Sequence, residues 1–319
     1  MQYPVETCFQ KRVLAAPDQI LVATDLTDSA DLMPHVIEQA RTSSAHVTLF
    51  HSIVPTDSLP PEAGVIPYVD RAKIDRDARV ALLGMARVLQ AQRILCDISV
   101  RHGYPAETIP MEISRTGATR LIMATHGRGK LAQIALGSVA KELLGTVDIP
   151  IFAVGPAAHG TIRHVSPKKI LHPVSLAGDF RRSVCLALDL AQIQRAELTL
   201  LHVLDPDSLD KTNPEHNFAL AQHALRSLIP PASDLRFSTE IRVVAGGVIE
   251  EVLQAAAGTG ADWIVLGVDP AFPLWRIRDS AAYKILSRAE CPVLTIRHEP
   301  CGGPVIIREE TRRSEGVVA

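Results

Sequence analysis

One feature constrains the fold of this chain more than any other: most of it occurs twice. Ile20-Leu21 matches Ile170-Leu171 at an offset of 150, and Leu49-Phe50-His51-Ser52 matches Leu200-Leu201-His202-Val203 at 151. Ile98-Ser99-Val100 with Gly103 and Glu107 matches Ile241-Arg242-Val243 with Gly246 and Glu250 at 143. Leu121–Ala124 matches Ile264–Gly267 at the same offset, and Ile149-Pro150 matches Cys291-Pro292 at 142. Offsets that drift this slowly, always within apolar segments, indicate duplication of a whole domain followed by changes in loop length. The period is far too long for a solenoid. A chain of 319 residues holds two domains of common size.

Within each half, short apolar runs alternate with amphipathic stretches. In the first, strands are expected at Gln19–Thr24, His46–Ile53, Cys96–Arg101, Arg120–Thr125 and Ile149–Val154. Helices are expected at Ala30–Arg41, Asp70–Gln92 and Pro105–Thr116, with another opening at Gly137-Ser138. The long helix places Ala72, Ala78, Leu82, Met85 and Leu89 on one side. The second half repeats the order, with strands at Lys169–Val174, Glu197–Leu204, Arg236–Val244, Trp263–Val268 and Val293–Arg297. Its helices are expected at Ser183–Gln194, Glu215–Leu228, Val248–Gly258 and Ser280–Arg288. Alternating apolar strands and helices predict an α/β fold: two tandem Rossmann-like domains, each an open parallel five-stranded sheet with helices on both faces. The domains are expected over 17–156 and 167–298, divided by the segment Gly155–Pro167, where glycine and proline interrupt any period. Pro55–Pro67 is a proline-rich excursion after the second strand, placed to act as a lid, and the polar tail beyond His298 lies outside the repeat.

Charge and cysteine content narrow the function classes. The formal charge is −2, from 33 basic and 35 acidic residues, so there is no excess positive field for nucleic acid or an anionic membrane. Five scattered cysteines without a CxxC pair, three of them (Cys96, Cys185, Cys291) in apolar element patterns, read as buried thiols in a reducing compartment. No apolar run approaches the ~18 residues of a membrane span, and no charged-then-apolar leader opens the chain. The expected location is cytoplasmic.

Ala124-Thr-His-Gly127-Arg-Gly129-Lys-Leu-Ala-Gln-Ile-Ala-Leu-Gly137-Ser138 follows the apolar run Leu121–Met123. Strand, glycine loop and helix start together make an anion cradle. The first amides of a helix have no intrahelical partner and sit at the positive end of its dipole. A glycine lets the backbone approach a phosphate closely. Ser138 could cap that helix or donate its hydroxyl to a phosphate oxygen. Neither GxxxxGK[ST] nor GxGxxG is present. What remains is Gly127, nine intervening residues, then Gly137-Ser138.

That spacing resembles the G-x-x-G-x9-G-[ST] nucleotide loop of the universal stress protein family, with Ala124 at the first glycine. Gly103-Tyr-Pro-Ala-Glu107 resembles the family's G-x-P-A-E turn, read here as a structural helix start. The resemblance, which runs from about Pro17 to His298, implies adenine nucleotide alpha hydrolase-like domains that bind ATP with accompanying Mg²⁺. It implies a nucleotide site in which Ala23, Thr24 and Asp25 close the first strand, and Asp25 faces the adenosine. As a residue on its own, Asp25 is equally a turn or cap residue, a service that Asp28-Ser29 already supply. The family pattern further implies that Ser52 and its strand neighbours offer backbone groups to adenine, and that Met123 packs against the base; by itself Met123 reads as core. Gly127, Gly129, Gly137, Ser138 and Val139 would surround the phosphates with Ala124. His126 and Arg128 could meet phosphate oxygens or stand as solvated loop charges. His51 and His202 share one repeat position, which points to a structural role.

The second half lacks this cradle. Pro270 stands where Gly127 does, Asp279 replaces Gly137, and Ser175 stands opposite Asp25, while Ser280 keeps the serine. Proline removes an amide donor. A carboxylate near phosphate repels it by up to about 3 kcal/mol at ~5 Å with an effective dielectric near 20. The expectation is one nucleotide site, in the first domain, serving nucleotide-dependent signalling or stress protection. Rivals are a slow ATPase or autophosphorylating enzyme using Ser138, and a nucleotide-free dimerisation scaffold. No HExxH, GxSxG or paired acidic metal site appears. Members of the family pair through their fifth strands, so Ile149–Val154 and Val293–Arg297 are expected to meet within one chain; whole chains could also form a homodimer, a state the sequence leaves open.

Overall fold

The computed structural model describes residues 18–55, 70–125, 137–158, 166–176, 180–209, 213–231, 235–268 and 280–297. In the first half, β1 (Gln19–Ala23), α1 (Ser29–Ser43), β2 (His46–Ile53), α2 (Arg71–Ala91) and β3 (Cys96–His102) lead to α3 (Pro105–Thr116), β4 (Arg120–Ala124), α4 (Ser138–Thr146) and β5 (Ile151–Val154). The second half runs β6 (Lys169–Pro173), α5 (Arg181–Gln194), β7 (Glu197–Leu204), α6 (Pro214–Arg226), β8 (Thr239–Ala245), α7 (Val248–Thr259), β9 (Trp263–Val268), α8 (Ala281–Arg288) and β10 (Val293–Arg297). Strand β5 starts two residues later than expected because Pro150 has no amide to give; its carbonyl instead accepts from Leu121.

All ten strands form one sheet in the order β3-β2-β1-β4-β5-β10-β9-β6-β7-β8. Each half is therefore a parallel, Rossmann-like five-stranded sheet, and the two are joined antiparallel where Val293 faces Ala153, Leu294 faces Phe152 and Thr295 faces Ile151. Strand order turns back on itself between β1 and β4, so the carboxyl ends of these strands diverge into a crevice.

Burial on both faces explains the continuous apolar runs. Ile20 and Val22 point into one core with Leu49, Leu82 and Ile122, and Leu21 points into the other with Phe50, Leu121 and Leu143. On α2 the buried stripe is Ala78, Leu82, Met85, Ala86 and Leu89; Ala72, expected on it, is exposed, because it lies about 100° round the helix from the middle of that stripe. Helix α3 starts at Pro105 and ends at Gly117, whose φ of 65° supplies the left-handed cap and whose amide bonds the Ile113 carbonyl.

At the junction of the halves, the Phe152 ring meets Trp263 edge-on with centroids 5.1 Å apart. Arg297 pairs with Asp148 at 3.0 Å, and Arg182 donates to the carbonyls of Asp148 and Arg297 at 3.1 Å each. Gly155 follows β5 so closely against α8 that a Cβ there would lie 2.4 Å from the Leu286 carbonyl oxygen. Cys96 and Cys291 are in no disulfide, whereas Cys185 is disulfide-bonded. This corrects the expectation of three thiols, since neither spacing nor cysteine count reports which sulfurs approach each other. Among the described residues, no helix is long and apolar enough to cross a membrane.

Candidate functional site

The crevice between β1 and β4 opens into a cleft of about 580 Å³. Three segments distant in sequence meet there: the turn after β1, the end of β2, and the start of α4 with the end of β4.

The β1–α1 turn is held by its own side chains. Asp25 Oδ1 accepts from the Thr27 amide at 2.8 Å and from the Thr27 hydroxyl at 2.6 Å. Thr24 Oγ1 accepts from the Leu26 amide at 2.9 Å and donates to Asp28 Oδ1. Leu26 between them has φ 74°, a left-handed conformation rare for a bulky residue. Asp28 and Ser29 do not cap α1 as expected. Asp28 occupies the cap position with ψ 7° rather than an extended backbone, makes no side-chain cap bond, and turns its carboxyl back toward β1. There it is only 4 % exposed. Burial pushes the Asp28 carboxyl up to about 6, against the opposing Thr24 hydrogen bond and with a smaller contribution from the nearby Asp25 charge.

Ser52 ends up nine-tenths buried, and its hydroxyl is committed inward, donating to the Gly103 carbonyl at 2.7 Å with Thr108 Oγ1 at 2.9 Å. Its backbone faces the cleft. The Phe50 carbonyl accepts from the Thr24 amide on the β1 side, and the Ile53 carbonyl accepts from Gly103 on the β3 side. Backbone groups alternate in direction along a parallel strand. The amide and carbonyl of Ser52 therefore point the same way as those of Phe50, but beyond the end of β1. His51 Nδ1 lies 2.8 Å from the Thr24 carbonyl and pins β2 to the turn.

On the far wall, Met123 (5 % exposed) and Ala124 close β4, and Gly137, Ser138 and Val139 start α4. Gly137, not Ser138, is the cap residue: it is extended (φ −62°, ψ 158°) and Ser138 is the first helical residue, with its side chain exposed. The Gly137 amide bonds the Thr125 carbonyl at 2.8 Å, which ties the helix start to the end of β4. The amides that follow lack intrahelical acceptors and sit at the positive end of α4, an arrangement that suits an anion. His126, Gly127, Arg128 and Gly129 lie outside the described residues, as do Pro270, Asp279 and most of the proline-rich excursion.

Of the expected site residues within the described ones, Ala23, Thr24, Asp25, Ser52, Met123, Ala124, Gly137, Ser138 and Val139 all line this one cleft. Sequence reasoning missed Asp28, which it read as a cap, and Ile74, which lines the cleft from the first turn of α2. The signal for Ile74 was available: it is apolar and lies four residues before Ala78, extending the face of the buried stripe by one turn. Among the described residues no group of three histidine, cysteine or acidic side chains could hold a metal ion. In the second half, Ser280 keeps the serine as a true cap, its hydroxyl accepting from the Tyr283 amide at 3.2 Å. His202 Nδ1 lies 2.8 Å from the Val174 carbonyl, the counterpart of the His51 bond.

Comparison with known proteins agrees with this architecture. The profile of the universal stress protein family matches twice, at residues 17–155 and 167–297. No curated protein matches. The fold is similar to the crystal structure of a universal stress protein from Archaeoglobus fulgidus DSM 4304, at TM-score 0.68 and 16% identity, covering 89% of this chain and 99% of that one. It is also similar to that of a functionally unknown protein from Pseudomonas aeruginosa PAO1, at TM-score 0.64 and 16% identity, covering 88% and 93% of the two chains. With both halves matched by its profile and built on the same doubly wound sheet, this chain belongs to the universal stress protein family, as a tandem two-domain member.

Proposed function

We propose that the first domain binds one molecule of ATP in the β1–β4 cleft, and that the protein acts as a nucleotide-dependent signalling or stress-protection module. The observation that carries this reading is the convergence of three complementary surfaces on one cleft: the Asp25 turn, the backbone edge at Ser52 and the start of α4 at Gly137-Ser138. Asp25 would meet the ribose or base, Ser52 would read the base through its backbone, and Met123 would pack against it. The α4 amides and the exposed Ser138 hydroxyl would take the phosphates together with Ala124, His126, Gly127, Arg128 and Gly129. Mg²⁺ would accompany the phosphates and be held mainly by them, since the described residues offer no metal cluster of their own. An ATP-dependent module belongs where ATP is, which places it in the cytoplasm, and whole chains would pair as a homodimer.

Acid release of ligand from freshly purified protein, followed by chromatography, identifies what is bound. Equilibrium dialysis with saturating ATP should level off near one per chain, and a plateau near two would sink the asymmetry between the halves. The exposed Ser138 hydroxyl in the cleft also suits slow hydrolysis or autophosphorylation. Steady-state phosphate release, with intact-mass measurement of the protein, separates that reading from simple binding.

A further inference from the structure

The turn after β1 contains more machinery than a ligand-facing aspartate needs. A leucine is held in a left-handed conformation, which an isolated chain disfavours and which persists only where surrounding contacts over-determine it. Two hydrogen bonds supply those contacts. The Leu26 amide donates to Thr24 Oγ1, and the Thr24 hydroxyl proton goes to Asp28 Oδ1. A hydroxyl has one proton. Committing it to Asp28 turns a lone pair toward Leu26, so the carboxyl sets the direction in which the threonine accepts. Immediately before this leucine sits Asp25, whose own carboxylate is oriented by the amide and hydroxyl of Thr27.

The second half supplies an internal control. At the offset of 150 that aligns the strands, Val174 stands for Thr24 and Ser175 for Asp25, so the strand end of the second half has no threonine. The histidine bond to the strand-end carbonyl survives there at the same 2.8 Å. Fold and histidine are thus kept with a valine in place of Thr24, so the threonine hydroxyl is not needed to build the domain.

We infer that Thr24 and Asp28 are positioning residues, a buried hydroxyl–carboxyl clamp that holds the β1–α1 turn so that Asp25 meets the sugar or base of the bound nucleotide. This rests on the reading of the cleft as a nucleotide site and gives Thr24 and Asp28, which both line it, a role that does not depend on touching the ligand. Burial of the carboxyl is the supporting observation, since a surface aspartate at a helix cap would be in water and would not turn back into a strand end.

Five variants of the full chain test it: Thr24→Val, Thr24→Ser, Asp28→Ala, Asp28→Asn, and Thr24→Val combined with Leu26→Gly. Valine is the second half's own residue at this position, so folding should tolerate it. Equilibrium dialysis should show ATP affinity about tenfold weaker for Thr24→Val and Asp28→Ala, the scale expected from one lost buried hydrogen bond. Thr24→Ser and Asp28→Asn keep the donor and the acceptor, and should bind within about twofold of the wild type on the same scale. The sharpest arm is the double variant. Glycine adopts the left-handed conformation without help, so Leu26→Gly should return most of the affinity that Thr24→Val loses. Wild-type affinity in Thr24→Val, or no rescue by Leu26→Gly, would overturn the clamp.

Amide hydrogen exchange on nucleotide-free protein keeps the two claims apart. Faster exchange at Leu26 in Thr24→Val supports the clamp whether or not ATP binds, and unchanged exchange overturns it. A wild type that takes up no ATP defeats the nucleotide reading instead.

Discussion

The two halves share a fold and differ in the cleft, and the pattern of what each kept separates architecture from function. Both retain the strand order, the apolar runs that fill the two cores, and a histidine on the second strand bonded at 2.8 Å to the carbonyl that ends the first. The first half alone has Thr24 and Asp25 at the turn, and Gly137 ahead of the serine. Even the shared serine is used differently. Ser280 caps α8 with its hydroxyl, while Ser138 sits one position inside α4 and leaves its hydroxyl exposed. Duplication has preserved what packs and let the residues of the cleft change.

The strongest way to break this contrast is to copy the second half into the first. Gly137→Asp puts a carboxylate where Asp279 stands in the repeat. Its backbone is extended, and a Cβ there would make only ordinary contact, 3.5 Å from the Thr125 carbonyl oxygen. An aspartate also favours a helix N-terminus, so stability should hold within about 0.5 kcal/mol. ATP affinity should fall about 100-fold, somewhat less than the unscreened repulsion allows. Adenosine should lose far less, and equal losses for the two ligands would mean that the α4 start is not the phosphate cradle.

Asp28 offers a second comparison, this time in stability. Its carboxyl is raised from 3.8 to about 6 in the folded protein, so between these values the folded state holds a proton that the unfolded chain has released. Stability is therefore lost as pH rises through this window, and the loss levels off above about 6. Asp28→Asn removes the cost. Urea unfolding should show the variant equal to the wild type below pH 4 and more stable by roughly 2 kcal/mol at pH 7. A gain that is independent of pH would contradict the buried, proton-holding carboxyl.

Asp25→Ala should weaken ATP binding about tenfold with little change in the unfolding midpoint, because the residue faces the cleft rather than the core. Isothermal titration beside thermal unfolding reads both, and an unchanged affinity would reduce Asp25 to a turn residue. The smallest expected effect tests what the halves share. His51→Ala and His202→Ala should each cost about 1 kcal/mol of stability through the bond to the strand-end carbonyl. Markedly unequal losses would show that the conserved pairing of histidine and strand end is not equivalent in the two domains.

Much of this was legible in the amino acids because local pattern suffices for it. A repeat, a run of apolar residues buried on both faces and a glycine-to-serine spacing are one-dimensional facts with direct structural meaning. They placed the strands β2, β7, β9 and β10 and the helix α3 at their observed bounds, and they named nine residues that line one cleft. The remainder depends on distances between segments far apart in sequence. That Asp28 turns back to Thr24 instead of capping α1 follows from a backbone angle set by the packing of α1 on the sheet. That the side chain of Ser52 is occupied while its backbone points into the cleft follows from β1 ending sooner than β2. That β5 and β10 run antiparallel in a given register, and that Gly155 has no room for a Cβ, depends on how two finished domains meet. Sequence by itself determined the elements and the cradle's chemistry, because those depend on neighbours along the chain. Tertiary structure decided which polar groups face the ligand and which are spent on the fold, because every buried donor and acceptor must find a partner in space.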